Sequence, residues 1–287
     1  MPTAKRKVSL IVFVIGTLLV VGLVPLVLTG WLLSDKSGRE LRSAENRYQI
    51  QLVDEKARQI EMFGHRWTSV VDSISTALEL SKDSGVLSSA QTEAKLGTIL
   101  KENPELLALY IKPANADAVS VFRAEALNRN DVESLAADTV NHESKTKFTV
   151  NGPTKAGTNA LPVMAFASPV TIGGAKAADV VAVASLQSIS QNVVGLNAVK
   201  ESELWNAGLP IVFVVDSNGE TVFHPDASVA MSRKPMGDLK IVQEWLESGR
   251  QVQSALVPFT ATFDNNSHSM IGAYSTCLLY TSPSPRD

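Results

Sequence analysis

The sequence predicts an α+β protein made of an N-terminal transmembrane helix, a long stalk helix and two antiparallel-sheet modules in tandem, the second of them incomplete. Three observations predict this class. A long apolar run lies close to the N-terminus, and a stripe of apolar residues at helical spacing follows it directly. The rest of the chain holds short strand-like segments joined by turns, without the regular alternation of strands and helices that a parallel sheet requires.

Residues 8–33 form the predicted transmembrane helix, since no charged side chain interrupts them. A helix needs about 20 apolar residues to cross the hydrocarbon core of a bilayer, and this run is longer. Lys5, Arg6 and Lys7 precede it, so the positive-inside rule places residues 1–7 in the cytoplasm and the rest of the chain outside it. A cleaved signal peptide is the alternative, but its apolar core spans only about 7–15 residues.

Residues 34–80 are predicted to form a stalk helix, since they contain no proline and carry a regular apolar stripe. The stripe has two interpretations, and both can hold at different distances from the membrane along the helix. It packs on the chain's own domain, or its membrane-near turns pair with the same helix of a second copy, which predicts a homodimer. The stripe residues in the second half are Ile60, Phe63, Trp67, Val70, Ile74 and Ala77.

Residues 277–287 are similar to a sequencing adapter translated in frame, and we expect the natural reading frame to be cut near Thr276. Segments of that kind are excluded from fold reasoning. Cys277 is the one cysteine of the chain and falls in this segment. The natural part is therefore predicted to contain no disulfide, no reactive thiol and no cysteine metal ligand.

Charge and motifs argue against several classes of function. The net charge of −3 provides no basic surface for nucleic acid, so no nucleic-acid partner is predicted. No glycine-rich phosphate loop and no nucleophile elbow occurs. The four histidines lack metal-ligand spacing, and we therefore predict no metal, no cofactor, no catalytic residue and no enzyme activity in this chain. They are His65, His142, His224 and His268.

The first sheet module is predicted over residues 81–200, and two of its helices carry start signals. Ser88 and Gln91 have the spacing of a capping box, and the helix that they open is expected to end before Pro104. A further helix is expected to start at Asp131 or at the asparagine before it.

Four strands are predicted in this module. Gly173 and Gly174 are expected to close a hairpin between two buried strands. The polar stretch 141–159 is expected to be a loop, because it contains two glycines and a proline. The predicted strands are 106–111, 118–123, 163–172 and 179–186.

The second module is predicted over residues 201–276, after a boundary near Lys200 to Gly208. A hairpin opens it, in which the turn Asp216-Ser-Asn-Gly219 joins two apolar strands. A helix from Asp238 to Ser248 follows, with Gly249 expected at its C-terminal end. The predicted strands are 209–215, 220–224, 252–262 and 269–274.

Three segments carry a resemblance to a known family: Ala167 to Leu186, Ile211 to Asp226, and Ile271 to Tyr274. Together with the order of helices and strands, they resemble a double Cache (dCache) sensor, the extracytoplasmic domain of many bacterial transmembrane receptors. The resemblance implies two PAS-like modules, a membrane-distal one at 81–200 and a truncated membrane-proximal one at 201–276.

The function that the resemblance implies is ligand sensing by a signal-transduction receptor in the bacterial inner (plasma) membrane. A second membrane helix, a HAMP linker and a cytoplasmic output domain are then expected beyond Thr276. By analogy, the output would be a cyclase, a phosphatase, a histidine kinase or a chemotaxis signalling domain. The alternatives are a membrane-tethered binding or adaptor protein without signalling output, and an anchored extracytoplasmic enzyme, which no group of residues supports.

One departure from the family bears on the ligand. Many dCache domains that bind amino acids carry an Arg-x-x-Trp-Tyr cluster, and nothing between Asn128 and Leu161 matches it. Ala184 and Ser185 stand where the family's acidic residue is expected, so charge-assisted contacts to an amino acid are not predicted. The predicted partner is another small molecule or a periplasmic binding protein.

Five residues are candidates for ligand contact, in a pocket between the sheet and its covering loops. The same residues also have structural interpretations, since three are typical of a core and two of solvated strand ends. The first three are Tyr110, Met164 and Phe166, and the other two are Lys112 and Arg123.

Overall fold

The computed structural model describes residues 10–141, 147–195, 203, 210–249, 252–263 and 266–277. The predicted cytoplasmic N-terminus lies outside these ranges, as does the predicted module boundary apart from Glu203. Of the predicted adapter segment, only Cys277 is described. The chain forms two units, Met1–Gln51 and Leu52–Asp287.

A single helix, α1 (Leu10–Ser81), covers both the predicted membrane span and the predicted stalk. Pro25 lies inside the helix without ending it, and Thr29 Oγ1 donates a hydrogen bond of 2.7 Å to the Pro25 carbonyl oxygen. In the first unit, a window of the helix has a mean hydropathy of 2.2 and none of it is buried. Among the described residues, α1 is the one helix long and apolar enough to cross a membrane.

A five-stranded antiparallel sheet forms the centre of the second unit, with the strand order β2-β1-β5-β4-β3. The predicted hairpin is confirmed: Gly173 and Gly174 have φ values of +63° and +85° and join β4 to β5. The strands are β1 (Leu106–Pro113), β2 (Val119–Phe122), β3 (Thr149–Ala156), β4 (Leu161–Ile172) and β5 (Ala175–Ser185).

The prediction of a loop over residues 141–159 is wrong, because β3 lies in it. Among the described strands β3 lies at an edge of the sheet and pairs with β4, and its register shifts between Asn151 and Thr154. Gly152 and Pro153 occupy that shift. Proline and glycine are tolerated in edge strands at irregularities of this kind, and an edge strand needs no apolar pattern.

The helices around the sheet are capped as the sequence suggests, with shifts of one or two residues. A 3₁₀ helix occupies Ser84–Ser88, so the cap of α2 is Ser89, whose side chain accepts from the Thr92 amide, rather than Ser88 with Gln91. Asn128 and Asp131 form the reciprocal capping box of α3. The helices are α2 (Ala90–Glu102), α3 (Arg129–Val140) and α4 (Gln187–Val194).

One face of the sheet packs against α1. Phe63 of α1 lies edge-on to Trp67 and to Phe166 of β4, with ring centroids 6.2 Å apart in each pair. The stripe prediction is confirmed from Ile60 onward, except that two of the predicted positions, Val70 and Ala77, move by one residue to Val71 and Leu78 because the α-helical repeat is 3.6 residues. The buried residues of α1 are Ala57, Ile60, Phe63, Trp67, Val71, Ile74, Ser75 and Leu78.

The opposite face of the sheet packs against α3. Apolar side chains from the sheet and from α3 form one buried cluster there. We call this surface the α3 face and the other the α1 face. Its buried members are Leu107, Ala108, Tyr110, Val163, Ala165, Ala167, Val181 and Val183 from the sheet, and Val132, Leu135 and Ala136 from α3.

The C-terminal region contains two further hairpins, β6–β7 and β8–β9, each a two-stranded antiparallel sheet. The described part of the predicted strand 209–215 is shorter than expected, since only two residues pair. The elements are β6 (Val214–Val215), β7 (Thr221–Phe223), α5 (Ala227–Met231), α6 (Lys240–Glu247), β8 (Ser254–Phe263) and β9 (Asn266–Ser275).

The turn of the β6–β7 hairpin is confirmed. Asp216 Oδ1 accepts hydrogen bonds from the backbone N–H groups of Asn218 and Glu220, at 2.8 and 3.0 Å, and Gly219 has a φ of +79°. Arg233 forms ion pairs with Asp216 and Glu220, which tie this turn to the segment after α5. The hairpin therefore has a rigid end, although its paired strands are short.

Phe166→Ala is expected to lower the free energy of unfolding by about 3–5 kcal/mol, because it removes a fully buried ring from the α1 face. Ser168→Ala is the matched control. Ser168 lies two residues further along the same strand, and its buried hydroxyl has no hydrogen-bond partner among the described residues, so we expect a change within about 1 kcal/mol. Urea denaturation of the detergent-solubilised chain, followed by circular dichroism, measures both. Equal losses would contradict the packing described.

Candidate functional site

Polar side chains lie in the sheet at one end of the α3 face. Tyr110 of β1 pairs with Ser120 of β2, and Lys112 of β1 pairs with Asp179 of β5. Successive side chains of a strand point to opposite faces, so these four residues share the face on which Tyr110 is packed. Glu133 of α3 is electrostatically coupled to Tyr110 from the covering helix. We call this group of five residues the α3-face site.

Tyr110 is the buried member of the site, with 7% of its surface exposed. Burial raises the pKa of its phenol above the ordinary value of 10.0, and the negative charge of Glu133 raises it further. The hydroxyl is therefore neutral at physiological pH. A neutral phenol can both donate and accept a hydrogen bond.

Two further groups of the site are free to bind. The Ser120 hydroxyl is buried and has no hydrogen-bond partner among the described residues. Lys112 is exposed and forms no ion pair with any residue that the structure describes, whereas the Asp179 carboxylate is paired with Lys176 at 2.9 Å. A buried hydroxyl without a partner costs stability, so a ligand that bonds to it recovers that cost.

The chemistry available in the site is hydrogen bonding and charge pairing. Hydroxyls, one free ammonium group and carboxylates border an apolar surface, which is the usual composition of a small-molecule site. Across the part of the chain that the structure describes, no group of three or more histidine, cysteine, aspartate or glutamate side chains could hold a metal ion.

The structure brings together two of the five residues that the sequence nominates. Tyr110 and Lys112 lie in the α3-face site. Met164 and Phe166 are fully buried on the α1 face, where Phe166 contacts Phe63. These four residues therefore lie on opposite sides of one sheet and do not line a common pocket.

Arg123, the fifth nominated residue, binds backbone carbonyl groups. Its Nε donates to the Leu106 oxygen at 2.9 Å, and its Nη2 donates to the oxygens of Leu100 and Asn103 at 2.8 and 3.2 Å. The last carbonyl groups of a helix have no partner within the helix, so Arg123 satisfies the C-terminal end of α2 and holds it on the sheet.

Sequence reasoning did not nominate Ser120, Glu133 or Asp179. The signal for two of them is present in the register, because antiparallel pairing with β1 places Ser120 and Asp179 beside nominated residues. Only the pairing partners of β1, and not its own sequence, contain this information. The position of Glu133 near Tyr110 depends on how α3 crosses the sheet, which the sequence does not show.

Solved structures with the same architecture come from sensory receptors. The periplasmic sensory domain of the Campylobacter jejuni chemoreceptor Tlp1 matches with a TM-score of 0.54 at 11% identity, over 85% of this chain and 99% of that one. The ligand-binding domain of the Pseudomonas fluorescens chemoreceptor CtaA, in complex with L-serine, matches with a TM-score of 0.53 at 15% identity, over 79% and 88%.

A third match is the extracellular domain of mmHK1S-Z2, described as a histidine kinase, with a TM-score of 0.52 at 13% identity, over 78% of this chain and 90% of that one. No family model matches the sequence, and no curated protein does. The chain has the fold of these sensory domains. The sensory-domain fold agrees with the resemblance to dCache sensors inferred from the residues.

The position expected for the family's acidic residue carries no charge in this sensory-domain fold. Ala184 is buried on the α1 face, and the Ser185 hydroxyl accepts a hydrogen bond of 3.3 Å from the Gln187 amide. The position expected for the family's acidic residue therefore supplies no carboxylate to the α3-face site.

Arg123→Gln is expected to lower the free energy of unfolding by about 2 kcal/mol, because three carbonyl groups lose a charged donor. Arg129→Gln is the control, since Arg129 is exposed and its one ion pair with a described residue is a 4.0 Å pair with Glu133. We expect that change to stay within about 0.5 kcal/mol. Urea denaturation measures both, and a loss as small for Arg123 as for Arg129 would contradict its structural role.

Glu133→Gln is expected to lower the pKa of Tyr110 while leaving it above 10.0, because burial is the larger of the two causes. The stability linked to Tyr110 is fully present below the unfolded pKa and is lost as the pH rises through the raised pKa, since the unfolded chain releases the phenolic proton first. Tyrosinate absorbance as a function of pH, with Tyr110→Phe as the subtraction control, measures the shift. An ordinary pKa in the native chain would contradict the described burial.

Proposed function

We propose that this chain is the extracytoplasmic ligand-sensing region of a membrane-anchored bacterial signal-transduction receptor. The observation that carries the proposal is the sensory-domain fold built on a helix whose N-terminal part is apolar enough to span a membrane. The membrane is the bacterial inner membrane. Residues 81–200 form the membrane-distal module of the sensing region, and residues 201–276 form its membrane-proximal module.

The ligand of the distal module is a small molecule that binds at the α3-face site. Neighbours of the same fold were solved with amino acids, CtaA with L-serine and Tlp3 with isoleucine. This chain lacks the Arg-x-x-Trp-Tyr cluster, whereas Lys112 supplies one free cation beside the hydroxyls of Tyr110 and Ser120. The ligand therefore carries a carboxylate or another anionic acceptor and is recognised without that cluster.

The two faces of β5 provide a route from this site to α1. Val181 and Val183 pack on the α3 face, and Val180 and Ala182 pack on the α1 face of the same strand. A ligand that binds one arrangement of the α3 face better than another shifts the population of that arrangement. Because the strand is shared, the shift alters the surface on which α1 packs.

The conformational shift controls a cytoplasmic output domain. Two copies of α1 form the homodimer that transmits it across the membrane. Leu41 and Tyr48 are exposed apolar residues of α1 that such a contact would cover. The complete gene tests the receptor proposal directly. We expect a second apolar span within about 40 residues after Thr276, followed by a cytoplasmic domain, and a stop codon without a second span would overturn it.

Tyr110→Phe and Lys112→Ala are each expected to weaken the binding of a distal-module ligand by about tenfold, because each removes one polar contact to the ligand. A thermal-shift screen of small metabolites against the full chain in detergent finds the ligand, and titration of the hits measures the change. Lys95→Ala is the control, an exposed lysine on α2 outside the site. Hits that bind both variants as tightly as the native chain would place the ligand elsewhere.

A further inference from the structure

A cavity lies beside the edge strand β3, between the sheet and the β7–α5 segment. It has a volume of about 320 Å³. The sheet side is formed by β3, the start of β4 and α4, and the opposite side by β7 and α5. We call it the hairpin cleft. None of the residues of the α3-face site lines it, so the two sites are separate.

The inner walls of the hairpin cleft are apolar and fixed by packing. Val222 and Phe223 of β7 belong to the same core as Ile189 of α4. His224 is buried, and its Nδ1 accepts a hydrogen bond of 2.9 Å from the Asp226 amide, which fixes the ring against the wall. Pro162 closes the sheet side. Walls held in this way form a pocket before a ligand arrives.

The charged groups that line the hairpin cleft are cations. Lys155 of β3 is exposed and forms no ion pair with any residue in the described ranges. Arg233 faces it across the cleft but is paired with Asp216 and Glu220, so its charge is largely balanced. No aspartate or glutamate lines the cavity. Lys155 is thus the one charged lining residue that has no ion pair within the described ranges.

We propose that the hairpin cleft binds a small monocarboxylate with an apolar body. The apolar part fills the space between Pro162 and Phe223, and the carboxylate pairs with Lys155. The volume is at the lower end of the range for small-molecule sites, which limits the ligand to metabolite size. The proposal does not depend on the α3-face site or its ligand.

Such a ligand contacts two parts of the chain at once. On one side it touches an edge strand of the five-stranded sheet, and on the other the β7–α5 segment of the C-terminal region. A molecule that binds only when both walls are in place stabilises that arrangement by its own binding free energy. Ligand binding in the hairpin cleft would therefore stabilise the contact between the five-stranded sheet and the β7–α5 segment.

Phenylacetate, hexanoate and isovalerate are the probes, and phenylacetamide is the uncharged match of the first. Isothermal titration of the full chain in detergent measures their affinities. We expect saturable binding of at least one carboxylate, with phenylacetamide weaker than phenylacetate by about tenfold. Lys155→Ala should weaken the carboxylate by a similar factor and leave phenylacetamide unchanged, so that the two ligands become equal.

Thr154→Trp is a second variant, which fills the cleft from an exposed position of β3 and is expected to abolish binding of every probe. Lys95→Ala and Tyr110→Phe should leave phenylacetate binding unchanged, because neither residue lines the cleft. No saturable binding of any carboxylate below about 10 mM would overturn the proposal. Equal affinity for phenylacetate and phenylacetamide in the native chain, or loss of binding in Tyr110→Phe, would also overturn it.

Discussion

The packing of α1 against the five-stranded sheet is the contact on which the rest of this structure depends. Phe63 of α1 lies against Trp67 and against Phe166 of β4, and all five strands contribute residues to the core on that face. Large aromatic side chains bury more apolar area per residue than smaller side chains, and they dominate the packing energy of a core. Once α1 occupies this face, only the opposite one is available for α3 and for the polar groups beside it.

Burial on both faces also explains which strands could be predicted. β4 and β5 read as continuous apolar runs because Phe166 and Val180 face α1 while Ala167 and Val181 face α3. β3 was missed because it is an edge strand whose polar residues and Gly152-Pro153 irregularity are typical of a loop. The starts of α2 and α3 were predicted within two residues, since the signals that begin a helix are local.

The candidate site was harder to predict, for a related reason. In a strand that is buried on both sides, the odd-numbered and even-numbered residues are equally apolar. The sequence therefore does not reveal which of these two sets of side chains faces a given helix. Met164 and Phe166 were nominated together with Tyr110, although alternation and register place them on the other face. Arg123 was nominated as a polar strand end, and only the fold shows that its guanidinium is occupied by carbonyl groups at the end of α2.

The interface between α1 and the sheet holds three buried polar atoms without a hydrogen-bond partner in the described ranges: Trp67 Nε1, Ser75 Oγ and Ser168 Oγ. The hydrogen bonds that join α1 to its surroundings, such as Arg66 with Glu105 and Glu79 with the Thr171 amide, lie at the exposed rim, where water can replace them. Buried hydrogen bonds therefore do not fix the axial position of α1 on the sheet. Apolar side-chain packing is therefore the interaction that sets the position of α1 on the sheet.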